Sequence, residues 1–251
     1  MLFNSKEMES EAEGIFSPRR KLRRTIYLLP TLFTVGNIFF GFYALVASLN
    51  GDFDTAAKAI GVAVVLDGLD GRVARMANAT SDFGLQLDSL ADVVSFGVAP
   101  AVLVYTWGMH DLGRLAQFSA FIFLICGAMR LARFNVQTSD LKSFAGLPIP
   151  AGAGFVAATV HFFKTPPEWP HFDLLMVVAV YLIAFLMIST IRYPSMKKLD
   201  LGRGKSHLMV VLVALVIAGM IWYSRQALLL VAYSYAASGP VLRLVSAIRR
   251  K

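Results

Sequence analysis

From Pro30 onward the sequence is a succession of apolar stretches, and this pattern restricts the chain more than any other feature. Eight can be delimited: Thr31–Leu49, Asp54–Ala77, Asp82–Trp107, Asp111–Asn135, Pro150–Phe163, Phe172–Arg192, His207–Tyr223 and Gln226–Leu244. A hydrocarbon layer of ~30 Å takes about 20 helical residues to cross. Backbone polar groups inside lipid must be satisfied within the segment, so the stretches are expected to be helices. The fifth is short, and the last two are close enough to form a tight hairpin. The expected architecture is an all-α polytopic transmembrane bundle of about eight helices, a six-helix core followed by a C-terminal hairpin.

Composition agrees. The chain is 57% hydrophobic and 16% charged, against about 25% charged for soluble domains. That excludes an ordinary cytosolic enzyme, a disordered chain and a disulfide scaffold. The single cysteine, Cys126, lies in an apolar run and has no intrachain partner. Net charge is +8, so nucleic acid has to be considered as a partner. The distribution of the charge decides against it. Arg19-Arg20-Lys21-Leu22-Arg23-Arg24 stands directly before the first apolar stretch, which fits an anchor for anionic headgroups. With the N-terminus inside, twenty basic residues fall on cytoplasmic ends and four on the other side. The positive-inside rule then puts both termini in the cytoplasm. No apolar run suited to a cleavable signal peptide precedes residue 15. The organisation expected is a basic N-terminal segment over 1–29, a core over 30–198, and a hairpin with a basic tail over 199–251. Connections on the outer side are short, so any chemistry belongs at the cytoplasmic face.

Four acids interrupt the second and third apolar stretches: Asp67, Asp70, Asp88 and Asp92. An ionised group at membrane depth is costly and marks a functional site by default. Asp67 and Asp70 are spaced i,i+3 and Asp88 and Asp92 i,i+4, so each pair shares one helix face. The polar break Asn78-Ala79-Thr80-Ser81 would turn the chain so that the two faces meet. Four carboxylates together repel, and divalent cations would relieve that. All-oxygen ligands suit hard ions such as Mg²⁺, Mn²⁺ or Ca²⁺, and two such ions can clamp a phosphoryl displacement. Gly68, Gly71 and Gly84 would let a pyrophosphate approach the backbone, and Arg75 would neutralise phosphate. The blander reading, salt bridges to Arg72, Arg75, Arg130 and Arg133 or a proton pathway, explains one acid better than four.

The pattern Asp67-x2-Asp70-Gly71-x2-Ala74-Arg75-x8-Gly84-x3-Asp88-x3-Asp92 resembles the signature of the CDP-alcohol phosphatidyltransferase family at every fixed position. The resemblance implies a membrane enzyme that moves a phosphatidyl group from CDP-diacylglycerol to an alcohol and releases CMP. By position, Asp67, Asp70 and Asp88 would hold one metal, while Asp67, Asp88 and Asp92 would hold or adjoin a second. The ions implied are Mg²⁺ or Mn²⁺, with Ca²⁺ able to substitute structurally. Gly71, Ala74, Arg75 and Gly84 would contact the CDP moiety, and Asp92 would act as general base. Family members also resemble homodimers.

Within that family the chain is most similar to integral-membrane phosphatidylserine synthases. The similarity lies in Leu29–Asn37, Ser95–Ala101, Arg130–Asn135, Phe144–Pro150 and Ser189–Ser195. It implies L-serine as acceptor and a prokaryotic-type inner membrane. A zwitterionic acceptor needs a cation for its carboxylate, and an arginine fork supplies one. Candidates for an acceptor or phosphate pocket are Asn37, Ser95, Arg130, Arg133, Asn135 and Tyr193. Glycerol 3-phosphate, an inositol compound or choline are the alternative acceptors, and a cation transporter is the alternative of another class. The four histidines show no zinc spacing, and the last two stretches carry no recognisable chemistry.

Overall fold

The computed structural model describes residues 18–76, 82–136, 146–191, 193 and 225–248, without the side chains of 18–30, 70–76 and 244–247. The described elements are α1 Pro18–Leu49, α2 Phe53–Met76, α3 Asp82–Leu112, α4 Arg114–Val136, α5 Ile149–Phe163, α6 Phe172–Ile188 and α7 Arg225–Ile248. No strand occurs among the described residues. Thr31–Leu49 of α1, all of α3 and all of α4 are long and apolar enough to cross a membrane, and α5 and α6 are shorter apolar helices. His207–Tyr223, expected as a further helix, lies outside the described residues.

Most boundaries differ by a few residues from those expected, and three of the differences have a clear local reason. Helix α1 starts at Pro18 rather than Thr31, because hydropathy delimits only the apolar part and the basic residues before it are themselves good helix formers. Helix α3 runs on to Leu112, and the break before α4 falls at Gly113, where φ is +56°. Helix α6 stops at Ile188, four residues before Arg192. There Ser189 turns extended, with ψ at 161°, and its hydroxyl donates to Leu186 O at 2.8 Å.

The first two helices form a hairpin. Gly51, at φ +77°, makes the turn, and Asp52 Oδ1 accepts from Thr55 N at 3.2 Å to start α2. Ala44, Ala47, Ala56, Ala59 and Ala63 are buried between elements, so small side chains bring the backbones close, as helix packing in lipid favours.

Helix α3 is irregular. Residues Val93–Val98 form a π turn, and the Ala99 N–H bonds Val94 O five residues back. Pro100 follows immediately. Proline cannot donate to the residue four before it and crowds that carbonyl; the widened turn accommodates it. A second π turn spans Tyr105–Met109, where Thr106 Oγ1 donates back to Val102 O at 2.9 Å and Leu103 O at 3.2 Å.

Helices α3, α5 and α6 supply much of the interior, including Phe96, Leu103, Ile149, Val160, Val180 and Met187. The outer face is apolar as well. Phe39, Phe42, Phe118, Leu182 and Phe185 are among the exposed large side chains. An apolar exterior of this kind is solvated by lipid, not water. The chain is an integral membrane protein.

Candidate active site

The two acid-bearing helices do meet. Asp67 of α2 and Asp88 and Asp92 of α3 each offer a carboxylate oxygen within 4.8 Å of the other two. Asp67 is fourteen residues beyond the start of α2, and Asp88 and Asp92 are one turn apart on α3, so both project from one face. Asp92 is the most enclosed, at 9% exposure. It stands directly before the first π turn of α3. Asp70 continues the α2 face, but its side chain and those of Ala74 and Arg75 lie outside the description, as does Gly71 beyond its helical backbone. Gly84 is one turn before Asp88 on the same face, and a side chain added at Gly68 would meet open space.

Three carboxylates this close, drawn from two helices inside an apolar bundle, carry more negative charge than such a setting tolerates alone. The donor set is all oxygen, which fits a hard divalent cation. A compensating positive charge lies nearby. Arg130 of α4 is 8% exposed and interacts electrostatically with Asp92, Tyr235 and Asp67. Its guanidinium carbon lies 5.6 Å from the centroid of the Phe134 ring, one turn along α4.

The other pocket candidates have defined places. Ser95 Oγ donates to the backbone carbonyl of Asn37 at 2.9 Å, tying α1 to the π turn after Asp92. Gly41, one turn on from Asn37, makes this approach possible, since a side chain there would overlap Ser95. The side-chain amide of Asn37 is fully buried with neither atom bonded among the described residues. Asn135 Nδ2 donates to Ser89 Oγ at 2.8 Å, joining the end of α4 to the acid-bearing turn of α3. Arg133 Nη1 donates to Ile188 O at 3.0 Å, satisfying a terminal carbonyl of α6. Tyr193 is buried, with its hydroxyl donating to Ala236 O of α7 at 3.0 Å. Thus Asp67, Asp88, Asp92 and Arg130 form one group. Ser95 and Asn135 are engaged as struts beside it, and Arg133 and Tyr193 hold neighbouring helices. Sequence reasoning passed over Ser89 and Tyr235; two tyrosines in an otherwise apolar helix, Tyr233 and Tyr235, were the available signal.

An all-helical membrane bundle with an oxygen-lined acidic cluster beside a buried arginine defines a membrane enzyme class built to hold divalent cations. The chain belongs to the CDP-alcohol phosphatidyltransferase family, whose profile matches residues 27–190. Among curated relatives, a CDP-diacylglycerol–serine O-phosphatidyltransferase of Helicobacter pylori is 42% identical over 181 residues, covering 69% of this chain and 74% of the relative. One of the same name from Bacillus subtilis is 36% identical over 170 residues, covering 68% and 92%. An archaetidylserine synthase of Methanothermobacter thermautotrophicus is 36% identical over 168 residues, covering 66% and 69%.

Proposed function

We propose that this enzyme transfers the phosphatidyl group of CDP-diacylglycerol to the hydroxyl of L-serine, giving phosphatidylserine and CMP. The observation that carries this reading is the convergence of Asp67, Asp88 and Asp92 in a chain whose relatives bear names for that reaction. The serine hydroxyl oxygen forms a bond to the β-phosphorus, the one attached to the lipid glycerol. The bond from that phosphorus to the bridging oxygen breaks, and CMP departs with the electron pair. Asp92 takes the hydroxyl proton, and its enclosure beside the first π turn of α3 fixes its position for this. Asp67, Asp70 and Asp88 are the residues for one divalent cation, with Asp67, Asp88 and Asp92 at a second. Bound Mg²⁺ or Mn²⁺ supplies charge neutralisation of the pyrophosphate and its leaving oxygen. Gly71, Ala74, Arg75 and Gly84 hold the CDP moiety. Positioning and electrostatics supply most of the acceleration, as in phosphoryl transfer generally.

The site faces the cytoplasm across a prokaryotic inner membrane, a reading supported by the bias of twenty basic residues to four. The same reading includes a homodimer, consistent with large apolar side chains on the outer face.

The test is release of CMP by purified protein given labelled CDP-diacylglycerol and a panel of alcohols with Mg²⁺ or Mn²⁺. Serine alone should drive release and yield phosphatidylserine. Release driven by glycerol 3-phosphate, inositol or choline instead of serine would overturn the acceptor assignment.

A further inference from the structure

The second π turn of α3, Tyr105–Met109, lies far from the acidic cluster and borders a cleft of about 420 Å³, a size usual for small-ligand sites. Asp111, on the rim of this cleft, follows Asp92 by nineteen residues of α3, or about 28 Å. That is close to the thickness of a hydrocarbon layer, so the cleft opens at the membrane surface opposite the acids. One wall is the loop 164–171 between α5 and α6, through Pro166, Pro167 and Trp169. The loop follows a fixed course. Lys164 takes φ +60° and ψ −55°, with Thr165 N donating to Phe163 O at 2.7 Å, a tight three-residue turn that is rare and strained. At the far end His171 is left-handed, with φ at +61°.

Side chains from α3 and α6 hold the loop there. Trp107 Nε1 donates to Lys164 O at 2.9 Å, pinning the strained turn to α3. The Trp107 and Trp169 rings both meet Phe172 edge to face, with centroids 5.6 and 6.1 Å away. Pro166, Pro167 and Pro170 restrict the backbone further. Walls set before a ligand arrives lower the entropic cost of binding it.

The lining of the cleft selects its ligand. Asp111 and Asp173 contribute carboxylates, and no lysine or arginine is among the lining residues. Asp111 Oδ1 lies 3.6 Å from His110 Nδ1, and Asp173 Oδ1 accepts from Leu174 N at 2.8 Å. Acids without basic partners repel anions and attract a cation. A metal ion fits poorly, because hard cations need several oxygens at once. Among the described residues only Asp67, Asp88 and Asp92 bring three such ligands together. Aromatic rings beside carboxylates suit an organic ammonium instead. We propose that this cleft binds an alkylammonium group, its charge between Asp111 and Asp173 and its carbon substituents against Trp107, Trp169 and Phe172. The headgroup of an amine-bearing lipid and a small free amine offer this same chemistry.

Two of the three tryptophans in the chain line the cleft, so Trp222→Phe leaves only those two to report on it. The test is the tryptophan fluorescence of this full-length variant in maltoside micelles, titrated with phosphatidylcholine, phosphatidylglycerol of the same chains, or free choline. Phosphatidylcholine should give a saturable change that phosphatidylglycerol does not. A matching change with choline supports a site for free amines, and a change with the lipid alone supports a headgroup site. Replacing both acids, Asp111→Asn with Asp173→Asn, should weaken the apparent affinity about threefold to tenfold. The thermal midpoint and the rate of CMP release should stay at the parent values. If that variant does not fold, Trp169→Leu, at an exposed position, should weaken the affinity in its place. The absence of a saturable change with either ammonium compound would overturn the proposal. So would an equal or stronger response to phosphatidylglycerol, or an affinity that the substitutions leave unaltered.

Discussion

Asp92 is the residue on which the proposed chemistry turns. It shares a cluster with Asp67 and Asp88 and is the most enclosed of the three, at 9% exposure. Asp92→Asn keeps the shape while removing the proton acceptor, so kcat should fall by about 10²–10⁴, the range for loss of a positioned base. Equilibrium binding of CDP-diacylglycerol should persist. Near-normal turnover in the variant would remove Asp92 from the role of base. The acids are legible in the sequence because a chain with 16% charged residues makes ionised groups in apolar stretches conspicuous. The pocket residues were not so readable. Ser95 and Asn135 looked like free polar groups in sequence, yet their partners are a backbone carbonyl on α1 and a serine on α3. The pairs lie 58 and 46 residues apart, and no local spacing encodes such a meeting.

Among the elements, α3 does most to set the site. Its acid-bearing turns belong to Asp82–Asp92, and the π turn that follows is locked to α1 through Ser95 and the gap left by Gly41. Gly41→Val would drive a branched side chain into Ser95 and push the two helices apart. The expected cost is about 1–3 kcal/mol of stability, typical of overpacking, together with a loss of activity because Asp92 lies one turn from Ser95. Thermal denaturation in detergent and CMP release would measure both; a fully active, equally stable variant would show that the contact does not constrain the site. Hydropathy located this helix but read it as regular and too short. Apolar content reports where lipid or core is, and the extra residue of a π turn depends on Pro100 and on tertiary packing. Helix α7 was expected over Gln226–Leu244 and runs Arg225–Ile248, and its attachment to α5 through Tyr233 was not foreseen. Nothing in a run of apolar residues tells which neighbour a tyrosine will face.

Across the molecule the polar groups divide between two ends. Asp54 lies in the first turn of α2, thirteen residues before Asp67 and so about 20 Å away along the helix. There His161 Nδ1 of α5 bonds Asp54 Oδ1 at 2.6 Å, and Lys58 Nζ lies 2.8 Å from Asp54 Oδ2. This group joins α2 to α5 far from the acids. His161→Ala should lower stability by about 1–3 kcal/mol and leave the KM values for both substrates unchanged. A calorimetric midpoint equal to the wild type would show that the pair contributes nothing. At the other side of α5, Thr159 and Phe155 receive Tyr233 of α7. That attachment gives the order of synthesis a meaning. Residues 27–190 leave the ribosome before α7 does, so the nascent chain can gather its acids while the last clasp is still missing. Until that helix arrives, Phe155 and Thr159 have no Tyr233 to meet, so this face of α5 stays open to lipid for as long as translation lasts.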